Sequence, residues 1–167
     1  MDGGRVVLRA IVDSDAPAVR ALAEPAIEQL PWREGARSAV DALVTRRDPD
    51  SRGLVALDAE HVVGLVIYGA VAGAVDSGRI QLVIVAPSAR RHGMGTRLVE
   101  AAAAALHRDG SHRIFIELPD DPALVAGMQL LVRCSFDVHA RIADYVRDGV
   151  DLVILRRDLD ATAATQD

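Results

Sequence analysis

The apolar and polar positions of this 167-residue chain change period several times. RVVLRAI (5–11) reads as a first strand, and DSDAPAVRALAEPAI (13–27) then follows as a helix. Ser14 or Asp15 is expected to cap that helix, Pro17 fits its first turn, and Pro25 is expected to kink or end it. After the break LPWREG, the segment ARSAVDALVTRRD (36–48) reads as a second short helix with Ala39, Leu43 and Val44 on one face. RGLVALD (52–58) and HVVGLVIYGAV (61–71) follow as a hairpin, and after the turn DSG comes the strand RIQLVIVAP. The alanine-rich helix GTRLVEAAAAALHRDG has Gly110 as its expected C-terminal stop. Next come the strand HRIFIEL and the helix DPALVAGMQLLVRCS, with Asp121 as cap and Pro122 at its first position. Two closing strands, FDVHARIADYV and DLVILRRDL, flank the turn RDGV.

The resulting order is β-α-α-β-β-β-α-β-α-β-β. It predicts an α/β fold with a mixed sheet and helices on its faces, not the alternating pattern of a doubly wound nucleotide fold. The length suits one domain, taken as residues 1–160, with 161–167 expected to be a disordered tail. Hydrophobic residues make up 50% of the chain and charged ones 26%, which excludes a disordered or fibrous chain. Only 3% are aromatic, so an aliphatic core is expected. The net charge of −5 gives no broad basic field for a polyanion, and nucleic acid is not an expected partner. No segment reads as a signal peptide or membrane span, so a cytoplasmic protein without membrane contact is expected. The assembly is read no further than monomer or homodimer.

The single cysteine, Cys134, lies in the apolar stretch LLVRCSF and reads as a small buried hydrophobe. The five histidines have no metal-binding spacing, and no carboxylate set suggests a metal site. The informative stretch is SARRHGMGTRL (88–98), where Gly93 and Gly95 stand between a strand and a helix. Backbone N–H groups at a helix start have no intrahelical acceptors, and glycines allow several to face one anion. No Gly-Lys-Ser/Thr follows, against a nucleoside triphosphate loop, and two late glycines without a ribose-binding acid do not fit a dinucleotide fingerprint. The third reading is the diphosphate of coenzyme A.

Arg90-Arg91-His92-Gly93-Met94-Gly95 resembles the Arg/Gln-x-x-Gly-x-Gly/Ala signature of the GCN5-related N-acetyltransferase (GNAT) superfamily. The element order over residues 6–159 is also similar, and Tyr145 to Leu159 is much like the ribosomal-protein and N-terminal acetyltransferase branches. The resemblance implies a central, largely antiparallel mixed sheet whose fourth and fifth strands splay apart. It implies that the pantetheine arm of acetyl-CoA, the acyl donor, meets the backbone of Leu82, Val83, Ile84 and Val85. The diphosphate is then received by Arg91, His92, Gly93, Met94, Gly95 and Thr96, with Arg90 adding charge. It further implies an N-acetyltransferase acting on a small-molecule or peptide amine, without a metal.

An alkyl ammonium loses its proton at a pH of about 10, so the reaction needs a proton acceptor. Glu117, in IFIELPD, stands where the ribosomal branch places such a glutamate; its other reading is a solvated strand residue or a structural salt bridge. Leu131 and Leu124 replace the family's usual tyrosine and asparagine, and Arg79 stands where glutamate is frequent. Leucine donates no proton. Tyr145 is the alternative hydroxyl donor or a packing residue, and an amide N–H from Val85 is a candidate for polarising the thioester carbonyl. Trp32 reads either as a substrate-side aromatic or as a loop anchor. The departures leave a second reading open, an acyl-CoA-binding protein of this fold with little or no turnover.

Overall fold

The computed structural model describes residues 6–159. The strands are β1 (Val7–Ala10), β2 (Ser51–Asp58), β3 (His61–Ala70), β4 (Ser77–Val85), β5 (Arg113–Pro119), β6 (Asp137–Arg147) and β7 (Val150–Asp158). The α-helices are α1 (Ala16–Ile27), α2 (Arg33–Val44), α3 (Met94–Arg108) and α4 (Val125–Arg133). The elements follow the expected order, and the strands form one sheet in the order β1-β2-β3-β4-β5-β7-β6. The tail expected over 161–167 lies outside the described residues.

Neighbouring strands run antiparallel except β4 and β5, which are parallel and pair only at Ser77–Arg113, Gly78–Ile114 and Arg79–Phe115. Beyond Arg79 the two strands separate. The cause lies in the ladder between β3 and β4: Ile67 pairs with Leu82 but Tyr68 pairs with Ile80, leaving Gln81 as an extra residue. Such a bulge bends its strand and reverses the faces of the side chains beyond it. Ile80 packs in the core under α3, whereas Leu82 and Ile84 pack in the second core under α1 and α2.

Two hydrophobic layers result. On one face α1 and α2 bury Val19, Ala23, Ile27 and Val40 against Val55, Leu65 and Ile67 of the sheet. On the other, α3 lays Leu98, Val99, Ala102 and Leu106 across β3, β4 and β5, and α4 adds Leu131. Helical spacing in α3 and strand alternation in β5 therefore meet in one core that is mostly aliphatic and also holds Tyr68 and Phe136.

Three local expectations change. Neither Ser14 nor Asp15 makes a side-chain cap on α1; Asp15 closes a 3₁₀ turn over Asp13–Asp15 instead. Its carboxylate accepts from the Val12 N–H at 2.8 Å and from the Arg9 guanidinium at 2.6 and 2.9 Å. Pro25 sits inside α1, which continues to Ile27, because a proline in the last turn forfeits a single backbone bond while Val19, Ala23 and Ile27 remain buried. α2 starts at Arg33, directly after Trp32, and its most buried residues are Ala36, Val40 and Leu43, with Ala39 and Val44 at the margin of that core. The end of α3 follows expectation. Gly110 adopts φ 93°, its N–H reaches the His107 carbonyl at 3.0 Å, and the Ser111 N–H reaches Leu106 at 2.9 Å.

Candidate functional site at the seam of the sheet

The separation of β4 from β5 opens a cavity of about 500 Å³ that passes through the sheet. Its strand walls are Ile80–Val85 and Ile116–Leu118; Leu124, Gly127, Leu130 and Leu131 close it from the α4 side. On the opposite side Ala26, Gln29, Leu30 and Trp32 border it, from the end of α1 and the turn into α2.

The open edge of β4 presents backbone in a defined alternation. The Ala86 N–H donates to the Val63 carbonyl at 2.8 Å, which flanks the Gly64–Val85 pair and makes it a non-hydrogen-bonded pair of the ladder. The N–H and C=O of Val85 therefore point away from β3 into the gap, and alternation gives Val83 the same orientation. Leu82 and Ile84 instead spend their backbone groups on β3. Of the four β4 residues singled out in the sequence, two offer amides to the cavity and two hold the strand in place. Arg90 closes this edge by donating from Nε to the Val85 carbonyl at 3.0 Å.

The glycine loop lies at the end of the same edge. Arg91 and Gly93 have φ of 65° and 74°, in the left-handed region. Gly93 immediately precedes α3, with open space where a side chain would stand. The first intrahelical bond runs from the Arg97 N–H to the Gly93 carbonyl, so the N–H groups of Met94, Gly95 and Thr96 precede the helical ladder. Gly95 serves a different purpose: a Cβ there would meet Leu130 Cδ2 at 2.9 Å, so this glycine lets α4 pack close to the start of α3. The side chains of Arg91 and His92 are exposed.

Glu117 is exposed on β5 between buried Ile116 and Leu118, and it lines the cavity. Its carboxylate makes no hydrogen bond or ion pair with any described residue, so the salt-bridge reading has no partner here. Tyr145 lies elsewhere. It is 64% exposed on β6, beside Asp144, whose φ is 53°, and it is not a wall of the cavity. Leu131 is buried and lines the cavity with Leu124, giving the α4 wall hydrocarbon where a hydroxyl was sought. Cys134 is buried, and burial, with the Glu100 charge adding to it, pushes its thiol pKa up, as befits an unreactive packing residue.

Sequence reasoning missed Gln29, Leu30 and Gln81 as cavity residues. With its amide oxygen turned toward Arg79, Gln81 accepts from Nε and Nη2 at 2.8 Å, beside the point where the strands part. No sequence signal marks a bulge at Gln81. A signal for the α1 end did exist in Trp32, the single tryptophan of the chain, which stands on the cavity wall. Among the described residues no His, Cys, Asp or Glu cluster suited to a metal occurs, and no helix is long and apolar enough to cross a membrane.

Comparison with known proteins gives three kinds of result. The model of the acetyltransferase (GNAT) family matches residues 14–126. A search of curated proteins found no match. Among solved structures, a GNAT-family protein from Desulfovibrio desulfuricans superposes with a TM-score of 0.82 at 19% identity, over 93% of this chain and 99% of that one. The Salmonella typhimurium protein yncA, solved with its cofactor acetyl-CoA, gives 0.74 at 19% identity, over 96% and 98%. A ribosomal-protein-alanine N-acetyltransferase from Brucella melitensis gives 0.74 at 22% identity, over 91% and 99%. At these identities the likeness is one of fold.

Proposed function

Because this chain belongs to the acetyltransferase (GNAT) family, we propose that it transfers the acetyl group of acetyl-CoA to a primary amine of a small molecule or peptide. The observation that carries this reading is the seam: free backbone amides on one wall, a free carboxylate on the other, and orphan helix N–H groups at one mouth.

Those features suit coenzyme A without any metal. Val83 offers strand-like pairing to a pantetheine arm, Val85, whose carbonyl is taken by Arg90, offers its N–H alone, and the N–H groups from Gly93 to Thr96 suit a diphosphate. Gly93 leaves that face clear of side chain. When bound, the thioester supplies an activated acyl carbonyl. The Val85 N–H, directed into the gap, is the donor that polarises it. Glu117 accepts the proton of the incoming ammonium, directly or through water, so that the neutral amine is the nucleophile. Coenzyme A departs as a thiolate as the C–S bond breaks; the acylated nitrogen passes its second proton to water and the thiolate takes one from water, which removes the need for a hydroxyl where Leu131 stands. The exposed setting of Tyr145 gives it no advantage as that donor.

The hydrocarbon of Leu124 and Leu131 along the α4 wall favours a second reading, an acyl-CoA-binding protein with little turnover. Acetyl-CoA titration by calorimetry and acceptor-dependent thiol release across a panel of amines separate the two. Binding with amine-dependent release supports the enzyme; binding with release no faster than the uncatalysed rate supports the second reading.

A further inference from the structure

The walls of the cavity carry information about the acceptor, given the acetyltransferase reading above. Among the described residues that line it, Glu117 and Arg90 alone are charged. Arg90 is bonded to the Val85 carbonyl and lies toward the glycine loop, which leaves Glu117 as the one charge facing an amine. The carboxylates nearest in the chain to the α1 end are already engaged elsewhere. Glu24, Glu28 and Glu34 pair with Arg37 at 3.0, 2.5 and 3.3 Å, and Glu28 also with Arg33 at 3.5 Å. Asp48 pairs with Arg79 at 3.5 Å.

The α1 mouth itself is apolar. Ala26, Leu30 and Trp32 form its surface, and the Gln29 amide nitrogen is bonded to the Pro25 carbonyl at 3.2 Å. A polyamine or an aminoglycoside brings several ammonium groups that must be stripped of water, and among the described residues lining the cavity Glu117 is the one carboxylate to receive them. A free amino acid brings a carboxylate that needs a cation, and Arg79 is already committed to Asp48 and Gln81. An aromatic or branched alkyl group, in contrast, gains by covering Trp32 and Leu30.

We infer that the acceptor is a primary amine with a single positive charge on an apolar, ring-sized body, of the arylalkylamine type, with Glu117 taking the ammonium and Trp32 and Leu30 the body. The inference makes Trp32 a specificity-determining residue. As the only tryptophan in the chain, it also reports occupancy of its own site.

The test begins with calorimetry of acetyl-CoA on the intact protein. Tryptophan emission of the coenzyme A-saturated protein is then titrated with 2-phenylethylamine, methylamine, spermidine, kanamycin, leucine and an alanyl peptide. The same amines are assayed for thiol release from acetyl-CoA. The expected result is a saturable emission change for 2-phenylethylamine at concentrations at least tenfold below those of the other five, with kcat/KM in the same order. Trp32→Ala should raise KM for 2-phenylethylamine at least tenfold and affect methylamine less. Failure to bind acetyl-CoA overturns the acetyltransferase reading and this inference with it. Normal acetyl-CoA binding overturns the inference alone if 2-phenylethylamine gives no saturable response, or if any other amine matches or exceeds it.

Discussion

β3 and β6 are strands of 10 and 11 residues with opposite surroundings. β3 runs through the middle of the first half of the sheet, and its residues from Gly64 to Gly69 are buried between α1 on one face and α3 on the other. β6 is the last strand of the second half. Nearly all its residues are exposed, including Val138 at 55% and Ile142 at 42%. Its sequence, DVHARIADYVR, interleaves charges that no two-sided core would accept, and bulges interrupt its ladder with β7. The sheet thus joins a half enclosed on both faces to a half covered on one, through three pairs between β4 and β5. The cavity lies at that junction, taking fixed backbone from the enclosed half and a solvated carboxylate from the open half. On the proposed reading, positioning falls to the half enclosed on both faces and proton transfer to the half that is open on one.

The largest effect should come from the open wall. Glu117→Gln is expected to keep acetyl-CoA affinity while lowering amine turnover at neutral pH by about 10²- to 10⁴-fold. The defect should shrink as pH rises and more acceptor arrives neutral. Turnover within twofold of wild type from about pH 6 to 9 would remove Glu117 from the proton path.

Stability should divide along the same line. Leu65→Ala, in the fully buried middle of β3, is expected to cost about 2–5 kcal/mol in denaturant unfolding. Val138→Ala on β6 should change stability by no more than about 0.5 kcal/mol. Similar losses at both positions would contradict the contrast between the halves.

Gly93→Val tests the glycine loop. Loss of backbone contacts to phosphate is expected to weaken acetyl-CoA by about thirtyfold, or about 2 kcal/mol. The φ of 74° adds a stability cost of about 1–2 kcal/mol, so affinity is read on protein shown to be folded. Unchanged affinity would exclude the loop from the ligand site.

A smaller effect concerns the entry to α1. The hydrogen bonds from the Arg9 guanidinium hold the Asp15 pKa below its ordinary value; burial opposes this, and the Val12 N–H and the Arg9 charge support it. A depressed carboxylate pKa stabilises the fold above the unfolded value and loses that contribution as pH falls through the folded one. Asp15→Asn should therefore cost about 1 kcal/mol at neutral pH. The difference from wild type should close below about pH 4 in thermal melts.

Local chemistry was legible in the sequence wherever one residue decides a structure. Gly110 ends α3, and Asp121 is a cap as expected, accepting from the Ala123 N–H at 2.9 Å, but of the 3₁₀ turn Pro122–Leu124 that precedes α4 and not of α4 itself. The element order and the parting of the fourth and fifth strands also follow the reading. What escaped depends on partners far along the chain. Asp15 forgoes the helix cap because Arg9 from β1 lies within reach, and α2 turns Val40 inward to meet the sheet face of Val55 and Leu65. The bulge at Gln81 is a property of the pairing with β3, which no window of sequence contains. The setting of Tyr145 likewise follows from its place on an outer strand, a fact of topology. Gly95 shows that one motif serves two ends, since its small size admits Leu130 while Gly93 supplies the turn.

The central claim is that the open edge of β4 receives acetyl-CoA, and amide hydrogen exchange at Val83 and Val85 tests it most directly. Both N–H groups face the gap, while those of Leu82 and Ile84 are already paired to β3 and serve as internal controls. Saturating acetyl-CoA is expected to slow exchange at Val83 and Val85 by about tenfold or more relative to the controls, consistent with new hydrogen bonds at a previously open edge. Unchanged relative rates at Val83 and Val85, with acetyl-CoA demonstrably bound, would contradict the account.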